Sequence, residues 1–295
     1  MDLGDRSDWT VLLTGGTSGI GRAAARELGA AGATVYLVGR DPERGETAAQ
    51  TVRTAGGDAT FLQYDLASQS AVRDLAATVR EHTDRLDALV NNAAVAPDEH
   101  STTDDGVPFA VAVNHLAPYL LTRELAPLLR DSAPARVVVT ASGVHRRADV
   151  APDDPDLLGE HAGLDGYART KLMNVLFVRE LADRLDGTGV TATALHPGFI
   201  PGSGLYRNSA LYVRATMKLF SVLPVGRSVA DGGEALARLA AADDAADANG
   251  AYFDGTERAE PSDAARDERR QTALWSASAD LLGVDPDWPA VAGGD

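Results

Sequence analysis

The sequence predicts an α/β fold organised on a parallel sheet, and three observations support that reading. Short apolar, β-branched runs alternate along the chain with longer stretches whose apolar residues recur at helical spacing. A glycine cluster stands between the first run and the first helical stretch, where a strand turns into a helix. No Pro/Ser-rich linker or block of charge divides the 295 residues, so residues 1–295 read as one domain able to bury a sizeable core.

The first run, Trp9 to Leu13, leads into Thr14-Gly15-Gly16-Thr17-Ser18-Gly19-Ile20-Gly21, and a helical stretch from Arg22 to Ala31 follows. Glycines at such a turn accept positive φ and let the backbone approach a pyrophosphate closely, while the first free amides and the positive end of the helix dipole face the anion. The spacing is G-x-x-x-G-x-G, and a tight strand-to-helix turn without a ligand would carry the same glycines. Thr34 to Val38 reads as the second strand, ending at Gly39-Arg40, with the next helix starting near Pro42. A carboxylate at that strand end would bond both ribose hydroxyls of NAD, whereas an arginine pairs with the 2′-phosphate of NADP. No acid stands there before Asp41. Arg40 therefore points to NADP rather than NAD, a solvated arginine at a helix start being the plain alternative.

The third strand, Ala59 to Tyr64, ends at Asp65-Leu66, and Val72, Leu75 and Val79 mark the helix after it. The fourth, Leu86 to Val90, runs into Asn91-Asn92-Ala93-Ala94. Amides at the end of a buried strand bind backbone across a gap, and at the carboxyl edge of a parallel sheet they also line the ligand crevice. Val107 to Leu129 has helical period and carries Asn114 on an apolar stretch, where a buried amide requires a partner. The fifth strand, Arg136 to Ser142, is apolar and β-branched up to its terminal serine. A polar segment from Gly143 to Gly166 separates it from a helix that opens with Tyr167-Ala168-Arg169-Thr170-Lys171. Tyr167 and Lys171 stand at i and i+4, on one face and one turn apart. An ammonium beside a phenol stabilises the phenolate and brings its pKa down from about 10, which makes the tyrosine a usable acid/base.

Tyr/Lys pairs at this spacing occur on many unrelated helices, but lysine is rare here. Lys171 and Lys218 are the only lysines among 27 Lys and Arg residues, so one of the two stands four residues after a tyrosine, where a guanidinium would not serve. The tyrosine also follows a strand-terminal serine and precedes a sixth strand, Thr191 to Leu195, that ends at His196-Pro197-Gly198. That is the chain order of one crevice. Beyond it, Val229 to Ala241 reads as a helix, Ala251 to Phe253 as a last short strand and Asp263 to Leu282 as a terminal helix, with the tail from Val284 loosely held.

Composition narrows the chemistry. With no cysteine there is no disulfide, no thiolate nucleophile and no cysteine-ligated zinc. The histidines, His82, His100, His115, His145, His161 and His196, show no metal-ligand spacing and read as structural, so no metal is expected. A formal net charge of -16 disfavours nucleic acid, which requires clustered Lys and Arg. The first residues are polar and acidic and no apolar stretch reaches spanning length, so a cytoplasmic protein is expected. Acid excess with lysine depletion fits a high-salt cytoplasm; GC-rich codon usage would also explain the arginines.

Taken together and in order, Thr14 to Gly21, Asp65, Asn91-Asn92-Ala93, Asn114, Ser142, Tyr167, Lys171 and Pro197-Gly198 resemble the motifs of the short-chain dehydrogenase/reductase family over roughly residues 9 to 255. The resemblance implies a doubly wound (Rossmann) parallel sheet of seven strands whose order reverses at the cofactor crevice. It implies that Tyr167 is the catalytic acid, that Lys171 holds the nicotinamide ribose and lowers the tyrosine pKa, that Ser142 polarises the substrate carbonyl, and that Asn114 supports a proton relay through water. It further implies that Gly15, Thr17, Ser18, Gly19, Ile20, Gly21, Arg40, Asp65, Leu66, Asn92, Ala93, Pro197, Gly198 and Ile200 join Tyr167 and Lys171 around NADP. Hydride would pass between nicotinamide C4 and a carbonyl or alcohol carbon.

The long gap between Ser142 and Tyr167, the Asn114-His115-Leu116 run and Leu195-His196-Pro197-Gly198 are similar to the retinol-dehydrogenase and protochlorophyllide-reductase-like branch. That implies a lipophilic substrate, retinol-, steroid- or polyketide-like. Double-bond reduction is an alternative disfavoured by the absence of cysteine, and a non-catalytic NADP-binding regulator is disfavoured by the complete Ser142/Tyr167/Lys171 set. Two departures from the family pattern are Ala94, in place of a glycine, and Gly202, where a threonine is usual, with Ser203 as a substitute. Residues 199–227 stand where the family's substrate lid lies. Leu205 to Arg227 holds Arg207, Arg214, Lys218 and Arg227 and no acidic residue, so it reads as a lid covering its own pocket; a membrane surface or an anionic lipophilic substrate would suit the same stretch. A homo-oligomer is left open.

Overall fold

A computed structural model describes residues 3–201 and 226–288. Each apolar run forms a strand within a residue or two of its expected bounds: β1 (Thr10–Thr14), β2 (Thr34–Gly39), β3 (Asp58–Gln63), β4 (Ala88–Asn91), β5 (Ala135–Thr140), β6 (Val190–His196) and β7 (Tyr252–Asp254). These seven pair in parallel in the order β3-β2-β1-β4-β5-β6-β7. The chain steps outward from β1 to β3, returns across the sheet to β4 and steps outward the other way, so the order reverses between β1 and β4.

The expectation of seven strands falls one short. An eighth, β8 (Glu257–Ala259), folds back antiparallel on β7. Its Glu-Arg-Ala sequence is largely exposed at the sheet edge and pairs through backbone alone, so it leaves no apolar signal in the sequence.

The sheet is covered on both faces, which is why its central strands are apolar on both sides. Val11 and Leu13 of β1 pack with helices α1 (Gly19–Ala30), α2 (Pro42–Ala55) and α7 (Val229–Ala241). Leu12, between them, points to the other face. There it meets α3 (Gln69–His82), α5 (Ala117–Asp131), α6 (Gly163–Arg184) and α9 (Glu268–Leu282).

Three helices differ from expectation. The stretch around Asn114 is continuous but not uniform: α4 (Phe109–Val111) passes through a widened π turn, Ala112–Leu116, into α5. Such turns interrupt helices where a side chain is re-aimed, often at functional sites. Helix α6 begins at Gly163 rather than Tyr167, because the two glycines of Gly163-Leu164-Asp165-Gly166 mask the helical pattern. The terminal helix is split into α8 (Asp263–Arg266) and α9 at Asp267, whose extended backbone and side-chain bond to Arg269 N start a new helix.

The tail is docked, not loose, as far as Trp288. That ring is 2% exposed, with centroids 4.4 Å from Trp275 and 5.1 Å from Tyr119. Trp275 Nε1 also donates to Pro286 O at 2.9 Å. Of the lid stretch, only 199–201 and 226–227 are described. The readings of Gly202, Ser203 and the basic apolar run with Lys218 lie outside the described residues.

Candidate active site

Where β1 ends, Gly15 and Gly19 have positive φ, 67° and 53°. Close packing also demands glycine: a Cβ on Gly15 would lie 2.9 Å from Ala93 Cα, and one on Gly21 2.4 Å from Gly15 O. These contacts press the turn against the end of β4. Thr14 Oγ1 accepts from Asn92 N (3.0 Å) and Ala93 N (3.1 Å). Asn92 Nδ2 donates to Thr14 O at 3.1 Å, and its Oδ1 accepts from Thr140 Oγ1 at 3.3 Å. Asn92 therefore bridges β1, β4 and β5, while Asn91 Nδ2 reaches Thr122 Oγ1 of α5 at 3.1 Å.

Ser18 stands at the N-cap of α1 but makes no side-chain cap bond, and the first turn holds no acid. With no acid in the first turn, the positive end of the α1 dipole is not neutralised there, which suits an anion such as a pyrophosphate.

At the neighbouring strand ends, a Cβ on Gly39 would strike Thr17 Cγ2 at 2.6 Å, so Thr17 and the end of β2 are in contact. Arg40 follows, more than half exposed, with Nη1 3.9 Å from Asp65 Oδ2. Such a long, exposed pair is weak and leaves the guanidinium available. Leu66 is buried beside Asp65. Beyond β6, Gly198 has φ 98° and lies against Arg227, which is held by Asp254 Oδ1 at 2.7 Å. A Cβ on Gly232 of α7 would meet Ile200 Cδ1 at 2.5 Å and Ile20 Cγ1 at 3.2 Å, so α7 backs both isoleucines.

Past β5, Ser142 caps a 3-10 turn, Gly143–Arg147, its Oγ accepting from Val144 N at 3.5 Å. Helix α6 brings Tyr167, Thr170, Lys171 and Asn174 to the same end of the strand. Lys171 is fully buried. Its Nζ donates to Thr140 O at 2.8 Å and sits 5.5 Å from the centroid of the Tyr167 ring. Asn174 Nδ2 shares the Thr140 carbonyl at 3.3 Å. Among the described residues no carboxylate forms an ion pair with Lys171, and burial lowers its pKa from 10.5 to about 7. The ammonium is therefore a variable charge near neutrality, which a guanidinium would not be.

Asn114 finds the partners its burial requires. Its Nδ2 donates to Val95 O (2.8 Å) and Thr170 Oγ1 (3.0 Å), and its Oδ1 accepts from Val95 N (2.8 Å). Thr170 Oγ1 donates onward to Tyr167 O at 2.8 Å. The π turn thus ties the chain beyond β4 to the turn of α6 that carries Tyr167.

Sequence reasoning missed the supports: Thr14, Thr140, Thr170 and Asn174. Thr14 opens the glycine stretch, and Thr140 stands two residues before Ser142. Asn174 lies three residues after Lys171, on its helical face. Among the described residues no three His, Asp or Glu side chains converge as metal ligands, and no helix is long and apolar enough to cross a membrane.

The sequence model of one family, short chain dehydrogenase, matches residues 9–209. Retinol dehydrogenase 12 of Mus musculus is 38% identical over 276 residues, covering 93% of this chain and 86% of the relative. Among solved structures, an uncharacterized protein from Mycobacterium Paratuberculosis aligns with TM-score 0.76 and 30% identity over 98% of this chain and 97% of its own. A short chain dehydrogenase from Burkholderia cenocepacia J2315, in complex with NADP, aligns with TM-score 0.68 and 25% identity over 84% and 96%.

Proposed function

This chain belongs to the short-chain dehydrogenase family and is an oxidoreductase acting on CH-OH and C=O groups; from that premise we propose that it is NADP(H)-dependent and works on a lipophilic substrate. The observation that carries the reading is Lys171, buried beneath the Tyr167 ring at the carboxyl end of β5. A buried lysine without a carboxylate partner is costly unless its charge is used. The whole chain serves as one cofactor-binding unit.

When bound, NADPH supplies the hydride from nicotinamide C4. The glycine turn and the start of α1 would hold the pyrophosphate, and Arg40, only loosely paired with Asp65, would take the 2′-phosphate. Ser142 Oγ donates a hydrogen bond to the substrate oxygen. As the carbonyl carbon accepts the hydride pair, Tyr167 Oη gives its proton to that oxygen, and the Lys171 ammonium stabilises the phenolate left behind. Asn114 holds the segment after β4 and the Tyr167 turn in register, which supports the proton's route. Oxidation of an alcohol runs the same steps backward.

Two features support a lipophilic substrate. Of the large apolar side chains exposed among the described residues, Leu164 lies three residues before Tyr167 on α6 and Phe199 directly follows Gly198. The relative named above is a retinol dehydrogenase. Assays with NADPH against retinoid aldehydes, polycyclic ketones and short polar aldehydes test the reading, and turnover is expected to favour the first two. Tight NADPH binding without turnover of any carbonyl would point instead to a cofactor-binding regulator. Arg40→Asp should weaken NADPH far more than NADH; equal loss of both would remove the role given to Arg40.

A further inference from the structure

Two histidines that the proposed reaction does not use hold the Ser142 turn. His145 is fully buried. Its Nδ1 lies 2.7 Å from Ser142 O and its Nε2 3.1 Å from Ser262 N. A carbonyl only accepts and a backbone N–H only donates, so the ring must be the neutral Nδ1–H tautomer, bonded at both ends. Burial, opposed by the bond to Ser142, keeps its pKa below the ordinary histidine value. Tyr252 of β7 packs against the ring, centroids 5.1 Å apart, and Arg146 donates to Glu260 O, fastening the same turn to the same C-terminal stretch.

On the other side His196, at the end of β6, lies against Gly143, where a Cβ would stand 2.9 Å from Nε2. His196 Nδ1 also accepts from Gly198 N at 3.3 Å. Ser142 is therefore gripped at its own carbonyl and at the next residue. Its hydroxyl, by contrast, is held among the described residues only by the 3.5 Å contact from Val144 N, at the limit of a hydrogen bond. Where Oγ points is then set by its backbone, whose carbonyl accepts from the His145 ring as well as from His145 N at 3.1 Å.

We propose that His145 is a positioning residue for Ser142: by joining the Ser142 carbonyl to the Ser262 amide it holds the serine hydroxyl where the substrate oxygen is polarised, and ties that place to the segment between β8 and α8. The proposal rests on the reading of Ser142 given above. A misplacement of about 1 Å can cost about 100-fold in rate, so the lever is large.

Steady-state kinetics of the full chain, with NADPH and a carbonyl that it turns over, test this in a square: parent, Ser142→Ala, His145→Gln and the double variant. A glutamine can accept from Ser262 N but offers no donor at the Nδ1 position. In the parent background His145→Gln should lower kcat about 10- to 100-fold with KM for NADPH unchanged, and in the Ser142→Ala background it should cost less than about 2-fold. His145→Asn, which keeps a donor at the Nδ1 position, should lose less than His145→Gln. An equal fall in both backgrounds, with Ser142→Ala itself impaired, overturns the proposal alone; normal turnover in Ser142→Ala overturns the reading of Ser142 and the proposal with it.

Should His145→Gln fail to fold, Ser262→Pro carries the test. Ser262 has φ -66°, which proline adopts, and the change deletes the N–H that Nε2 accepts. Ser262→Ala, losing only the hydroxyl that caps α8, is its control. A drop in kcat in the proline variant that the alanine variant does not share supports the proposal, and equal kcat in the two overturns it.

Discussion

Strand β5 has a buried cation at each end, and the fold treats the two in opposite ways. At the amino end Arg136 donates to Ala242 O at 2.6 Å and to Leu239 O at 3.4 Å. These carbonyls close α7, whose dipole favours a cation there. The guanidinium lies 5.3 Å over Trp9, and Arg6 reaches the same ring at 4.8 Å while donating to Ala241 O at 2.8 Å. Burial lowers the Arg136 pKa, and Asp243 and Asp244 work against it. At the carboxyl end Lys171 has the Thr140 carbonyl, shared with Asn174, and no acid among the described residues. The amino end uses a cation that does not lose its proton; the carboxyl end uses one whose pKa of about 7 lets its charge follow its surroundings. That difference accounts for a lysine at this place in a chain whose other cations, Lys218 apart, are arginines.

Exchanging the cations breaks the contrast most sharply. Lys171→Arg should fold, bind NADPH more weakly and lose about 10²- to 10⁴-fold in turnover, comparable with Tyr167→Phe, because proton transfer through the tyrosine is worth that much. Near-normal kcat in the arginine variant would erase the functional half of the comparison.

The structural half is tested by Arg136→Met. It strands the carbonyls that end α7 and should cost about 1–3 kcal/mol in urea unfolding, with kcat unaltered. Lys171→Met should change stability with the opposite sign. The folded pKa of about 7 lies below the ordinary 10.5, so the unfolded chain binds the proton more tightly. The stability that Lys171 permits is complete above its unfolded pKa and is lost as pH falls through 10.5 toward 7. The methionine variant should therefore melt several degrees higher than the parent near pH 6 and almost level with it near pH 11. A lower melting temperature near pH 6 would show that the ammonium is stabilised by the fold.

The smallest effect is expected from salt. With a net charge of -16, dilution of salt should lower the melting temperature by self-repulsion. Because both cations are buried, the parent and Arg136→Met should shift in parallel. Indifference to molar salt would attribute the composition to codon usage.

Features that depend on local pattern were legible in the sequence. The seven parallel strands are apolar because both faces are covered, and Gly15 and Gly21 are glycines because Asn92, Ala93 and the turn's own backbone leave no room for a Cβ. The spacing of Tyr167 and Lys171 placed both on one face of one helix. What escaped depends on contacts between distant segments. β8 is polar and pairs only through backbone. The π turn at Asn114 answers to Val95 and Thr170, which no periodicity reports. The depressed pKa of Lys171 follows from its burial by distant segments, and one of the two hydrogen bonds of the His145 ring reaches Ser262, 117 residues away in sequence. Its visible signal was only a histidine three residues after the strand-terminal serine.

The docking of Trp288 gives the molecule a built-in optical reporter. Of three tryptophans, Trp275 and Trp288 stand 4.4 Å apart with planes inclined at 35°, close enough for their indole transitions to couple and produce a strong near-ultraviolet circular dichroism band. Trp9 packs on the opposite face of the sheet, at the amino end of β1, beneath two guanidinium groups. Release of the tail would extinguish the first signal without touching the environment of Trp9, and opening around Arg6 and Arg136 would do the reverse, so unlabelled protein reveals which face yields first.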